Sequence, residues 1–266
     1  MFTGLLFVMI GSMKIYSWNV NGIRAIQRKG FLECLSRENP DILCVQETKA
    51  HPSQLEEALL RPTGYNAYFA SAEKKGYSGV AIFTKKSPKH VKEGFGVQRF
   101  DSEGRVLMAE FDEFTVLNIY FPNGKKDDVR LKYKLDFYDE TLRFVNRLRS
   151  AGKQVITCGD YNTAHKPIDL ARPRENENVS GFLPDERAWI DQWIKHGNVD
   201  IFREFCPLPD QYTWWDLKTA ARARNVGWRI DYHFVTPGLV SRIRNARLHP
   251  EILGSDHCPV SIELKA

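Results

Sequence analysis

Four carboxylates and one histidine stand at the edges of apolar runs along this chain. Glu47 closes Ile42-Leu43-Cys44-Val45-Gln46, and Asp160 follows Val155-Ile156-Thr157-Cys158-Gly159. Asp231 interrupts Arg229-Ile230-Asp231-Tyr232, and Asp256-His257 lies in Gly254-Ser255-Asp256-His257-Cys258-Pro259. Strand ends of this kind converge at one rim of an open sheet. Hard oxygen ligands without Cys or His pairs select Mg²⁺ or Mn²⁺ over zinc. Taken singly, a strand-end acid usually caps a turn or pairs with a lysine, and a lone histidine is more often structural than a base. Their joint occurrence outweighs those readings. Neither G-x-G-x-x-G nor G-x-x-x-x-G-K-[ST] occurs, and no G-x-S-x-G is present. Nucleotide-cofactor and serine-hydrolase chemistry therefore lose most of their weight.

Strands must hold these groups. Runs rich in β-branched and aromatic residues, bounded by turn formers, predict strands at Lys14–Asn19, Ile42–Gln46, Ser78–Thr84, Val106–Phe111, Phe114–Phe121, Gln154–Cys158, Arg229–Thr236 and Pro259–Leu264. Leu131, Leu135, Tyr138, Leu142 and Val145 form one apolar stripe of a helix that Gly152 is placed to stop. A second helix is expected from an Asp185 N-cap to Gly197, with Ile190, Trp193 and Ile194 inward. Interspersed strands and helices indicate an α/β or α+β fold. The halves echo each other: Lys14–Asn19 runs into Asn19-Val20-Asn21-Gly22, and Gln154–Cys158 into Gly159-Asp160-Tyr161-Asn162. That echo suggests two similar sheet layers packed face to face.

The chain has 266 residues, 42% apolar and 27% charged, which fits a globular protein with a sizeable core. No linker, repeat or low-complexity tract marks a boundary, so residues 13–266 read as one domain behind a dispensable extension, residues 1–12. The longest apolar run, Leu5 to Ile10, is far short of the about 20 residues of a spanning helix. The 5 cysteines are an odd number without a C-x-x-C, which argues against a disulfide framework and for the reducing cytoplasm. A monomer is the default. The net charge of +5 is uneven. Lys218, Arg222, Arg224, Arg229, Arg242, Arg244 and Arg247 face a single acid, Asp231, across one segment that includes Trp228 and follows Tyr212, Trp214 and Trp215. Cations interleaved with aromatics suit a phosphate backbone and its bases. They equally suit a solvated face over core tryptophans.

Seven ordered segments go further. WNVNGIRA (Trp18–Ala25), QETK (Gln46–Lys49), YSGVAIF (Tyr77–Phe83), NIYFPNG (Asn118–Gly124), CGDYNTAH (Cys158–His165), NVGWRIDY (Asn225–Tyr232) and GSDHCPV (Gly254–Val260) resemble the exonuclease III class of apurinic/apyrimidinic (AP) endonucleases. The resemblance covers the chain from Met13 onward. It implies a four-layered α/β sandwich, two mixed sheets face to face and flanked by helices. It also implies Mg²⁺-dependent cleavage of double-stranded DNA on the 5′ side of an abasic site, leaving a 3′-hydroxyl, with 3′-end trimming and 3′→5′ exonuclease activity. The fold is shared with DNase I and phosphoinositide phosphatases, so the fold alone does not choose the substrate.

By the same resemblance, Glu47 is the main Mg²⁺ ligand with Asn19 and Asp256 nearby, and Asp160 and Asn162 border the ion. One ion or two, and Mn²⁺ as a substitute, are compatible with the set. Asp160 would position or deprotonate the attacking water or protonate the leaving group, and Asn162 and Tyr120 would hydrogen-bond the scissile phosphate. His257 would contact that phosphate or act as base, with Asp231 fixing its tautomer. Either Asp160 or His257 can take the proton. Trp214, Trp228 and Ile230 would wall a pocket for the baseless sugar, while Trp215 reads as core. Lys126 occupies a loop position where relatives insert a side chain into the duplex. Arg24, Lys49, Tyr77, Asn123 and Arg130 fall at or behind phosphate contacts. Asn21 stands where some relatives carry Asp, which weakens a second metal subsite there.

A phosphatase of the same superfamily and a DNA-binding regulator without catalysis are the competing readings. The tryptophan-rich basic segment favours DNA over a lipid headgroup, and the intact set Glu47, Asp160, Asn162, Asp231, Asp256 and His257 disfavours the regulator. Whether damaged or deaminated bases such as deoxyuridine are also substrates depends on how closely the pocket walls approach.

Overall fold

The computed structural model describes residues 12–265. The first strands are β1 (Ser12–Asn19), β2 (Ile42–Gln46), β3 (Asn66–Ala70), β4 (Val80–Thr84), β5 (His90–Glu93), β6 (Val106–Glu110) and β7 (Thr115–Tyr120). They are followed by β8 (Val155–Asp160), β9 (Val199–Asp200), β10 (Trp214–Trp215), β11 (Gly227–Trp228), β12 (Asp231–Val235), β13 (Ile243–Leu248) and β14 (Val260–Lys265). One six-stranded sheet has the order β13-β14-β1-β2-β4-β3, and a second has β5-β6-β7-β8-β12-β9. In each, a central strand pairs in parallel on one side and antiparallel on the other: β1 with β2 and β14, β8 with β7 and β12. The expected mixed sheets and their echo are present. Of the expected N-terminal extension, residues 1–11 lie outside the described residues, and Ser12 already belongs to β1.

The sheets face each other across Ile15, Ile42, Cys44, Val80, Ile82, Leu107, Ala109, Val116, Ile156 and Cys158. The opposite faces are apolar too. Tyr16, Trp18, Leu43 and Val45 of the first sheet pack on Phe31 and Leu35 of helix α1 (Phe31–Glu38). Leu117, Ile119 and Phe234 of the second pack under α2 (Asp128–Ser150) and α3 (Pro184–Lys195). Strands buried on both faces need apolar residues at every position, which is why β2 and β4 show no alternation. A polar bolt crosses between the layers. Gln46 donates to Asn118 Oδ1 at 2.7 Å, and Asn118 donates to the carbonyls of Val45 at 3.1 Å and Ala81 at 2.8 Å.

Helix α2 begins at the N-cap Asp127, whose side chain accepts from the Arg130 amide at 2.7 Å, and ends before Gly152 at φ 78°. Its buried stripe is Lys134, Phe137, Tyr138, Thr141, Phe144 and Val145, so the expected Leu131, Leu135 and Leu142 flank the core instead of centring in it. Helix α3 starts at Pro184, with Glu186 Oε2 accepting from the Leu183 amide at 3.1 Å; Asp185 is not its N-cap. Trp189, Ile190 and Trp193 point inward, whereas Ile194 is exposed. One glycine is obligatory. A Cβ on Gly159, at φ 138°, would stand 1.8 Å from the Ile119 carbonyl oxygen, and this residue delivers Asp160 to the rim.

Candidate active site

The strand ends do converge. Asn19 ends β1, Asp160 ends β8, and Asp231 begins β12 directly opposite Asp160. Glu47 follows β2, and Asp256-His257 precede β14. Both central strands finish in the same local device. The Asn21 amide donates to Asn19 Oδ1 at 3.0 Å, and the Asn162 amide to Asp160 Oδ1 at 2.7 Å, each turn placing a polar residue in the left-handed region. Glu47 and Lys49 share that region at φ 55° and 51°, as backbone at functional sites often does.

Asn19 joins the two sheets. Its amide donates to Glu47 Oε1 and to Asp160 Oδ2, both at 2.9 Å. With Oδ1 taken by the turn, Asn19 orients the acids. Glu47 Oε2 lies 2.7 Å from the Lys49 ammonium, which overrides the effect of burial and keeps this carboxyl below the usual range. Asp256 accepts from Asn21 at 2.9 Å and from the Trp214 indole at 3.1 Å, and its acidity is likewise strengthened against burial by His257, Asn21 and Trp214.

His257 Nδ1 is 2.9 Å from Asp231 Oδ2, and its Nε2 is 3.9 Å from Asp160 Oδ2. The three are 4%, 2% and 1% exposed, so no bulk water screens them. Burial disfavours a charged imidazole, yet Asp231 and Asp160 together raise the His257 pKa well above its usual value. Asp160 moves up as well, by burial first and then by Asp231 and Glu47, with His257 opposing. Asp231 Oδ1 is a buried acceptor with no hydrogen-bond partner among the described residues.

A cavity of about 180 Å³ lies over these groups, lined by Glu47, Tyr120, Asp160, Asn162, Asp256 and His257 on its floor. Trp214, Trp228 and Ile230 form its wall, the two indoles edge to face at 6.4 Å. Trp215 is core, as expected. Glu47, Asp160 and His257 each offer a ligand atom within 4.8 Å of the others. Two carboxylates and one imidazole, with no thiolate, form a donor set that a divalent cation can use. His257 enters this set by geometry, whereas Asn162 Oδ1 accepts from Asn123 at 3.0 Å and Asp256 is held by Asn21 and Trp214.

The outer residues divide. Arg24 is exposed on a short helix, Ile23–Gln27. Tyr77 and Arg130 meet: the Tyr77 hydroxyl accepts from Arg130 at 2.8 Å, and Arg130 pairs with Glu103 at 2.7 Å. Lys126 is 82% exposed beside Asp127, while its neighbour Lys125 reaches the cavity, 5.4 Å and 5.6 Å from the ring centres of Trp214 and Trp228. Adjacent lysines in one loop carry nothing in sequence to tell them apart. Arg229, grouped with the basic surface above, is fully buried on Asp169 and Asp200. Arg222, stacked on Trp215, donates to the carbonyls of Pro250, Ile252 and Ser255 and so braces the loop carrying Asp256-His257. Arg105, unmarked by any motif, lies behind Tyr120.

Comparisons with known proteins agree with this geometry. The Endonuclease/Exonuclease/phosphatase family matches residues 16–257. The chain is 43% identical to an exodeoxyribonuclease of Bacillus subtilis, over 94% of this chain and 98% of that one. It is 40% identical to a DNA-(apurinic or apyrimidinic site) endonuclease of Dictyostelium discoideum, covering 94% of this chain and 70% of the relative. Among solved structures, an AP endonuclease from Archaeoglobus fulgidus superposes with a TM-score of 0.87 at 30% identity, over 96% of this chain and all of that one. With the family matched across the chain and a relative matched nearly end to end, this protein belongs to the endonuclease/exonuclease/phosphatase family, in its exonuclease III class of AP endonucleases.

Proposed function

We propose that this protein is a metal-dependent DNA repair nuclease that hydrolyses the phosphodiester 5′ to an abasic nucleotide and also trims 3′ ends. The observation that carries the reading is the pairing of Glu47, Asp160 and His257 with a walled cavity of about 180 Å³. That is below the about 300–1,000 Å³ of an ordinary ligand site. A sugar stripped of its base suits such a space, and an abasic nucleotide leaves the stack readily because little stacking holds it.

Magnesium, or manganese in its place, would be held by Glu47 with Asp160 and would supply a Lewis acid for phosphate oxygens. Asn162 and Tyr120 donate to the scissile phosphate from fixed positions. Asp160 and the Asp231-held His257 stand on the same side of the cavity, so a proton leaving the attacking water has an acceptor within the cluster. Trp214, Trp228 and Ile230 receive the sugar, and Lys125 brings an ammonium over the tryptophan wall. Tyr77, Arg130, Asn123 and Arg24 face the flanking strand.

The test is a labelled duplex with one tetrahydrofuran abasic analogue, incubated in Mg²⁺ or in EDTA. A Mg²⁺-dependent single nick 5′ to the analogue, leaving an extendable 3′-hydroxyl, is the expected result. An intact but tightly bound duplex would favour a non-catalytic regulator, and no binding would favour a phosphatase.

A further inference from the structure

We propose that Arg105 is a positioning residue for Tyr120, joining the duplex-facing Tyr77–Arg130 surface to the phenol at the reacting phosphate. The role rests on the nuclease reading above. Arg105 is 2% exposed, so its cation cannot itself meet DNA. Every edge of its guanidinium is engaged: Nη1 donates to the Tyr120 carbonyl at 3.0 Å, Nη2 to the Tyr77 hydroxyl at 2.8 Å, and Nε to Glu103 Oε2. Its plane also lies 4.6 Å from the centre of the Tyr120 ring. Tyr120 is therefore gripped twice by one side chain, through its carbonyl and through its ring.

The other end of the cluster faces outward. Glu103 receives Arg130 through both oxygens at 2.7 Å, and the Tyr77 hydroxyl is shared between the two arginines. Two guanidiniums around one carboxylate leave a net positive charge, set behind a phenol that looks toward Glu47. A rigid bidentate fork suits this task and an ammonium does not, because only the fork fixes the plane over the ring. The bridge spans the start of β6, the loop at Tyr77, the first turn of α2 and the end of β7. Tyr120 is thereby fixed relative to the surface that aligns the duplex.

Arg105→Lys keeps the charge and loses the fork. A displacement of about 1 Å at a reacting centre costs about 100-fold in rate, so single-turnover nicking of the tetrahydrofuran duplex should slow about 10- to 100-fold, with apparent KM changed less than about 3-fold. In a Tyr120→Phe background, the same substitution should cost less than about 3-fold, because the group it places is gone. Equal losses in both backgrounds would overturn the proposal, as would a raised KM with kcat retained. Should the lysine variant not accumulate as folded protein, Glu103→Gln loosens the fork without removing it and is read in the same way. Absence of nicking by the unsubstituted protein would remove the nuclease reading, and this role with it.

Discussion

Arg229→Met separates two views of the basic, tryptophan-rich segment. If the guanidinium served DNA, its loss would weaken binding and leave the fold alone. The geometry predicts the reverse. Arg229 is fully buried, donating to Asp169 at 2.8 Å and to both oxygens of Asp200 at 3.2 Å and 2.7 Å, with its plane 4.4 Å from the centre of the Tyr232 ring. Asp169 keeps Arg203 as a partner at 2.6 Å, whereas Asp200, only 8% exposed, has no other ion pair among the described residues. Removing one partner of a buried pair costs about 3–5 kcal/mol. Methionine recovers some packing, which places the expected loss near the lower end. For a chain of this size, about 2–4 °C per kcal/mol turns a loss of about 3 kcal/mol into a fall in Tm of about 6–12 °C. Affinity for abasic duplex in EDTA, followed from 50 to 200 mM salt, should keep its slope, since a lost phosphate contact would flatten it by about 0.9. A variant with unchanged Tm and a slope lower by about one would refute the reasoning.

Three further outcomes follow from the site. Asp160→Asn should slow single-turnover nicking at least about 100-fold, the lower end of a general acid–base contribution, and His257→Ala should cost a comparable amount; near-wild-type turnover in the first would remove Asp160 from the chemistry. Asp231→Asn takes away the largest influence holding the proton on His257, so the imidazole should titrate at a lower pH by NMR in the metal-free protein, and an unchanged titration would refute that pairing. Burial alone would raise the Asp169 carboxyl, but Arg229 and Arg203 override it and hold its pKa at about 2. A depressed acid stabilises the fold above its unfolded pKa near 3.9, and that stability drains away as pH falls toward 2. The gap corresponds to about 2–3 kcal/mol, so acid unfolding of Asp169→Asn should be flatter between about pH 4 and 2, and an unaltered acid limb would be the contrary result.

The central strands were legible because they are buried on both faces and therefore continuously apolar, as in Ile42–Gln46 and Val155–Cys158. The edge strands were not. β5 is His90-Val91-Lys92-Glu93 and β13 is Ile243-Arg244-Asn245-Ala246-Arg247-Leu248, mixtures that edge pairing tolerates and that resemble loops in sequence. Among the residues singled out by their motifs, Glu47, Asp160 and His257 come together at one rim. What escaped were the supports. Arg105 acts through a carbonyl and a ring, and Arg222 through three carbonyls; neither leaves a pattern in side-chain type or spacing. Charge density misplaced Arg229 for a related reason, since composition cannot show that two acids about 30 and 60 positions away will enclose it.

The placement of β14 bears on how such a protein is made. It lies between β13 and β1, so the two ends of the described chain are neighbours in one sheet, and the loop that feeds β14 carries Asp256 and His257. During synthesis, β1, β2, β7 and β8 can emerge and pair while Glu47 and Asp160 still lack their imidazole. A chain stopped before Asp256 lacks β14 and the loop that carries Asp256 and His257. Completion of the Glu47–Asp160–His257 group therefore waits on the same segment that inserts β14 between β13 and β1.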